Sequence, residues 1–117
     1  MSQSNPIEEK LRQFALAVRE FGKSLPMTVA NVEDLKELTR SSGAIGASYI
    51  EATGAINRND YLIGLKKCVT DTRNTHYWLS LVDSQGQPEI ERKRKRLMEL
   101  AEEMRRVLTQ LIQQSKP

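Results

Sequence analysis

An all-α fold, arranged as an up-down-up-down antiparallel four-helix bundle, is what this 117-residue sequence predicts. Two observations carry that prediction. Apolar residues recur at three- and four-residue steps through four separate stretches, the period of a helix that buries one face. Between the stretches lie short connections of Gly, Pro, Ser, Asn and Gln, and no run shows the two-residue alternation of a strand. Short loops make sequential helices antiparallel neighbours, so four in a row give the simplest bundle. At 38% hydrophobic and 28% charged residues, the length suits one domain over 1–117 with a modest core. The helices are expected at about 6–23, 29–53, 58–83 and 88–113.

The first helix is announced by Asn5 as cap, Pro6 at the first helical position, and Glu8 and Glu9 at the positive end of the dipole. Ile7, Leu11, Phe14, Val18 and Phe21 form its apolar stripe, which Gly22 and Pro26 bring to an end. The second helix begins near Thr28 to Asn31 and carries Leu35, Leu38, Ser42, Ile45, Tyr49 and Ala52 on one face, with Gly54 as its terminator. Asn57 or Asn59 caps the third, whose stripe is Tyr61, Leu65, Cys68, Thr72, Thr75, Leu79 and Val82, stopped by SQGQP at residues 84–88. The fourth follows Pro88. Ile90, Leu97, Met104 and Leu111 recur every seven residues, and the one break in that pattern is Lys93, so its first turns project beyond the core or rest on its rim. Ile7, Phe14, Phe21, Leu35, Ile45, Leu65, Leu79, Leu97 and Leu111 are expected inside.

The stretch from Arg40 to Val82 organises the chain. Ser41, Ser42, Gly43, Ala44, Gly46, Ala47, Ser48 and Ala52 surround Ile45, Tyr49 and Ile50, so a neighbouring helix is able to approach this backbone closely. Glycine inside a helix costs about 1 kcal/mol against alanine, and close approach is the reason expected for Gly43 and Gly46. Trp78 and Leu81 lie off the stripe of the third helix and leave apolar surface beyond one bundle core. A subunit contact through Gly46, Tyr49, Trp78 and Leu81 follows.

The run SSGAIGASYIEA, followed some twenty residues later by DTRNTHYWLSLV, resembles the small four-helix bundle proteins named for the intervening sequences of bacterial 23S ribosomal RNA genes. Arg40, Ser41, Ser42, Ile45, Gly46, Ala47, Tyr49, Glu51, Ala52, Tyr77, Trp78 and Leu79 carry the resemblance over the middle third. The sequence departs from the family's usual residues at Ser48, Asp71, Asn74 and His76. The resemblance implies a homo-oligomer, a pentameric ring first. It also implies a binding module, because related bundle proteins act as accessory factors for reverse transcriptases by binding protein and nucleic acid.

The net charge of +3 is small, but its distribution is not even. Arg92, Lys93, Arg94, Lys95 and Arg96 are consecutive, which leaves the rest of the chain net acidic by two. On a helix, five consecutive residues form a basic collar. A solvated helix end balanced by Glu89, Glu91 and Glu99 is the alternative, and a ring would multiply the collar's field toward the backbone of RNA or DNA. With aromatic content at 5%, stacking on bases is not favoured, and Tyr77 and Trp78 are expected to be packed.

Catalytic chemistry finds little support. One His and one Cys, with no Glu-x-x-His spacing, point away from metal, and no cofactor is expected. His76 stands two turns from Cys68, too far for a nucleophile and base pair, and Cys68 falls on the apolar stripe. Glu51, with Arg40 and Asp71 within possible reach, reads as a register or subunit contact in preference to a catalytic acid. The longest run without a charged residue, 41–50, is far short of the roughly 20 apolar residues needed to span a bilayer. A single cysteine and an opening without a secretory pattern suit the cytoplasm. The expected function is therefore a non-enzymatic oligomeric bundle that binds nucleic acid through the basic run. A structural or protein-interaction bundle is the alternative.

Overall fold

Asn5 accepts the backbone N–H of Ile7 at 2.9 Å, and with Pro6 in the first turn this sets the start of α1, Pro6–Lys23. In the computed structural model, which describes residues 5 to 115, three more helices follow: α2 Val29–Thr53, α3 Arg58–Leu81 and α4 Pro88–Gln114. Thr28 caps α2 through the Asn31 N–H at 3.1 Å, and Asn57 caps α3 through the Asp60 N–H at 2.8 Å. Gly54 ends α2 at φ −88°, an ordinary right-handed conformation, so its backbone freedom is not what stops the helix. No strand occurs among the described residues.

Each helix packs on its two neighbours in the order α1–α2–α3–α4–α1, and neither diagonal pair approaches within 8 Å between Cα atoms. The directions alternate. Asn5, ahead of α1, donates to the hydroxyl of Tyr49 near the end of α2, while Asn31 near the start of α2 meets Asp83 just past α3. The fold is thus the antiparallel bundle that the four periodic stretches predict.

Phe14, Phe21, Ile45, Leu65, Leu79 and Leu97 are buried as expected, joined by Val18, Leu38 and Leu108. Ile7, Leu35 and Leu111 are only half-buried against that core, because they sit at the edges of their stripes. Ile90 is buried, so the first turns of α4 rest on the bundle and do not project from it.

The small residues of α2 serve the bundle itself. Ser41 pairs with the Thr75 hydroxyl at 3.0 Å, Ser48 donates to Asp71 at 2.9 Å, and all but Asp71 are buried. Close approach, however, falls elsewhere than expected. A Cβ added at Gly43 or Gly46 would meet its nearest neighbour at 3.6 or 3.8 Å, ordinary contact distances. At Gly64 on α3 it would stand 2.6 Å from the Ala52 Cβ and 2.9 Å from the Ala52 Cα. The tight crossing of α2 and α3 therefore depends on Gly64, where α2 presents Ala52.

The third helix ends at Leu81, two residues short of the expected boundary at 83. Val82 turns to φ −61°, ψ 142°, and Asn31, fully buried, takes the Asp83 N–H while donating to the carbonyls of Asp83 and Pro26, all at 2.9 Å. Gln85 and Gly86 then reverse the chain at φ 54° and 74°. Long-range hydrogen bonds, not the local pattern, decide this boundary.

Candidate functional site

The basic run occupies the second and third turns of α4, and its five side chains do not form a uniform collar. Arg94 turns inward. Its side chain is 13% exposed, and its guanidinium donates to the carbonyls of Leu79, Ser80 and Val82 at 3.1, 3.2 and 2.6 Å and to Glu91 at 2.6 Å. These are carbonyls that the end of α3 leaves without helical partners, so Arg94 acts as a C-terminal cap delivered from the next helix. Glu91 is in turn held below the usual carboxylate range, first by the Ser84 hydroxyl that donates to it and then by Arg94.

The other four cations are exposed. Arg92 pairs with Glu89 one turn away, and Arg96 stands 4.0 Å from Glu99. Lys93 and Lys95 have no carboxylate of the described residues within 4.0 Å. Arg92, Lys93 and Arg96 border the seam with α1, beside Glu20 and Phe21. Lys95 lies on the α3 side, in an open cleft with His76 and Glu99. Cations thus flank both edges of α4, with Arg94 turned into the α3 side beside Lys95.

Of the residues expected at a subunit contact, Gly46 faces Leu11 of α1, and Tyr49 is buried under the Asn5 hydrogen bond of 2.9 Å, its phenol pKa raised chiefly by that burial. Both are committed to the seam between α1 and α2. Trp78 is half-buried against the core, and Leu81 is 45% exposed. Tyr77 is not packed inside. It is 55% exposed and stands edge-on to Trp78, ring centroids 5.2 Å apart at 71°.

Glu51 is exposed at the outer surface, 3.9 Å from Lys67, while Arg40 pairs with Glu37 at 2.5 Å. The grouping of Glu51 with Arg40 is therefore not formed. Cys68 is buried, with its sulfur 3.6 Å from the Ile45 carbonyl, and burial pushes its thiol up to about 12. His76 is half-buried between α3 and α4 near Glu102 and Arg105. Among the described residues, no three His, Cys, Asp or Glu side chains gather as a metal site would require, and no helix is long and apolar enough to cross a membrane.

Periodicity marked neither the capping role of Arg94 nor the tight contact at Gly64, since each depends on a partner in another helix. The chain has no significant match to a family model, a curated protein or a solved structure.

Proposed function

We propose that this chain is a non-enzymatic, oligomeric four-helix bundle of the 23S rRNA intervening sequence type that holds the phosphate backbone of RNA or DNA. Arg92, Lys93, Lys95 and Arg96 make the contact, and Arg94 supports them by anchoring α4 to the end of α3. The observation that carries the reading is the placement of four exposed cations within two turns of one helix, two of them with no ion-pair partner among the described residues. Backbone binding asks for clustered cations more than base-reading groups, and it is weakly sequence-selective. Self-association, with a pentamer as first choice from the resemblance, places Tyr77, Trp78 and Leu81 at the subunit contact and repeats the basic surface around the ring.

Mobility-shift titrations of the purified protein on RNA and DNA over a range of salt test this. Four phosphate contacts per subunit give a log–log salt slope of about −3.6 on duplex DNA. Changing Arg92, Lys93, Lys95 and Arg96 together to Gln should flatten the slope and leave the helix content unchanged. Absence of binding at low ionic strength, or unchanged binding by the variant, refutes it. A monomer mass by light scattering at micromolar concentration removes the ring. The exposed Tyr77 and Leu81 favour a second reading, a protein-interaction bundle without a nucleic-acid ligand, and those results would select it.

A further inference from the structure

The seam between α1 and α4 is the most open of the four. Along it run two adjoining hollows of about 610 and 690 Å³, which share Ala17 and Leu100 and so form one groove. Phe14, Phe21, Leu97 and Met104 make its apolar floor, and Val107, 39% exposed, stands on its lip. From Ile7 to Phe21 the groove follows α1 for about 21 Å, close to four helical turns. Its two ends differ in charge. Arg92, Lys93 and Arg96 crowd one end, where the carboxylate facing them from α1, Glu20, is already paired with Lys23 at 2.7 Å. The other end mixes Glu9, Lys10 and Glu103.

We propose that this groove docks an amphipathic helix of a partner protein, about four turns long, with one apolar face and acidic residues in its first turn. A helix in such a groove presents apolar anchors at i, i+3, i+4 and i+7. Carboxylates in its first turn are favoured by its own dipole, and here they also meet three cations, so the partner helix lies parallel to α4 with its N-terminus at Arg92. A duplex keeps its base faces stacked inside and presents a charged backbone, so it has no apolar face to fill the groove. A second copy has no suitable helix either: among the described residues its exposed large apolar side chains are Leu16 on α1, Val29 and Ile50 on α2, Ile63, Tyr77 and Leu81 on α3, Val107 in the groove itself, and Met27 and Ile56 in the connections, with no free four-turn stripe among them.

Fluorescence anisotropy with two labelled 18-residue synthetic helices tests the proposal on the full chain. Both peptides carry Leu along one face; one has Glu in its first turn and the other has Lys there. The Glu-headed peptide should bind about tenfold more tightly at low salt. In a variant with Arg92, Lys93 and Arg96 all changed to Gln, that preference should disappear. Val107→Glu, a change at a partly exposed helical position, should weaken both peptides about tenfold without altering the circular dichroism. Leu100→Gln provides a second variant of the groove. Equal binding of both peptides to the native protein, no binding at all, persistence of the preference in the triple variant, or indifference to both groove variants would each overturn the proposal. A lower mass for unliganded Val107→Glu would assign the groove to a second copy and overturn it as well.

Discussion

Replacing glycine by alanine at two helical positions should move stability in opposite directions. At Gly46 the added methyl meets the Leu11 Cβ at 3.8 Å, so the helix gains its propensity advantage of about 1 kcal/mol at little steric cost. At Gly64 the same methyl would stand 2.6 Å from the Ala52 Cβ and 2.9 Å from its Cα, where ordinary carbon contacts lie at about 3.5–4.0 Å. The obstacle is backbone and a side chain with no flexible end, so α2 and α3 must separate by roughly 1 Å along their shared seam. Overpacking of this kind costs about 1–3 kcal/mol, and with the upper end expected here the net loss is about 2 kcal/mol after the propensity gain. Urea denaturation followed by circular dichroism reads the difference. With a slope of about 1.5 kcal/mol per molar, the two midpoints should lie about 2 M apart, Gly46→Ala above wild type and Gly64→Ala below it. A Gly64→Ala midpoint at or above wild type would refute the close crossing of α2 and α3.

Arg94→Gln should cost about 2–4 kcal/mol by withdrawing charge-assisted hydrogen bonds from three carbonyls at the end of α3, while Arg92→Gln should stay within about 0.5 kcal/mol. Equal thermal midpoints for the two variants would remove the capping role. Cys68 should resist thiol reagents at neutral pH until the protein unfolds, because its thiol is buried and its pKa is pushed up from 9.0 to about 12. A folded-state value raised above the unfolded one means that the protonated thiol's contribution is complete below pH 9.0 and is lost as pH rises toward about 12. Wild type should therefore lose stability more steeply than Cys68→Val over that window. Parallel alkaline titrations of the two proteins would contradict the burial of this group.

Much of the fold was legible because its signals are local. Asn5, Pro6, Thr28 and Asn57 satisfy helix-start N–H groups or fit the first turn within a few residues, so α1, α2 and α3 begin where the pattern places them. The end of α3 was not legible, since Asn31 and Arg94 set it from more than ten residues away. Ile7, Leu35 and Leu111 read as core from periodicity alone, but how deeply a stripe's edge is covered depends on the neighbouring helix.

The amino-acid sequence by itself determined the helical periods, the caps and the concentration of positive charge, all set by covalent neighbours. Tertiary packing alone decided that Gly64, not Gly46, marks the tight crossing, that Arg94 leaves the basic run to cap α3, and that an apolar groove with a cationic end remains between α1 and α4. A side chain's role is settled by which atoms of other helices reach it, and those distances appear only once the four helices take up their relative positions.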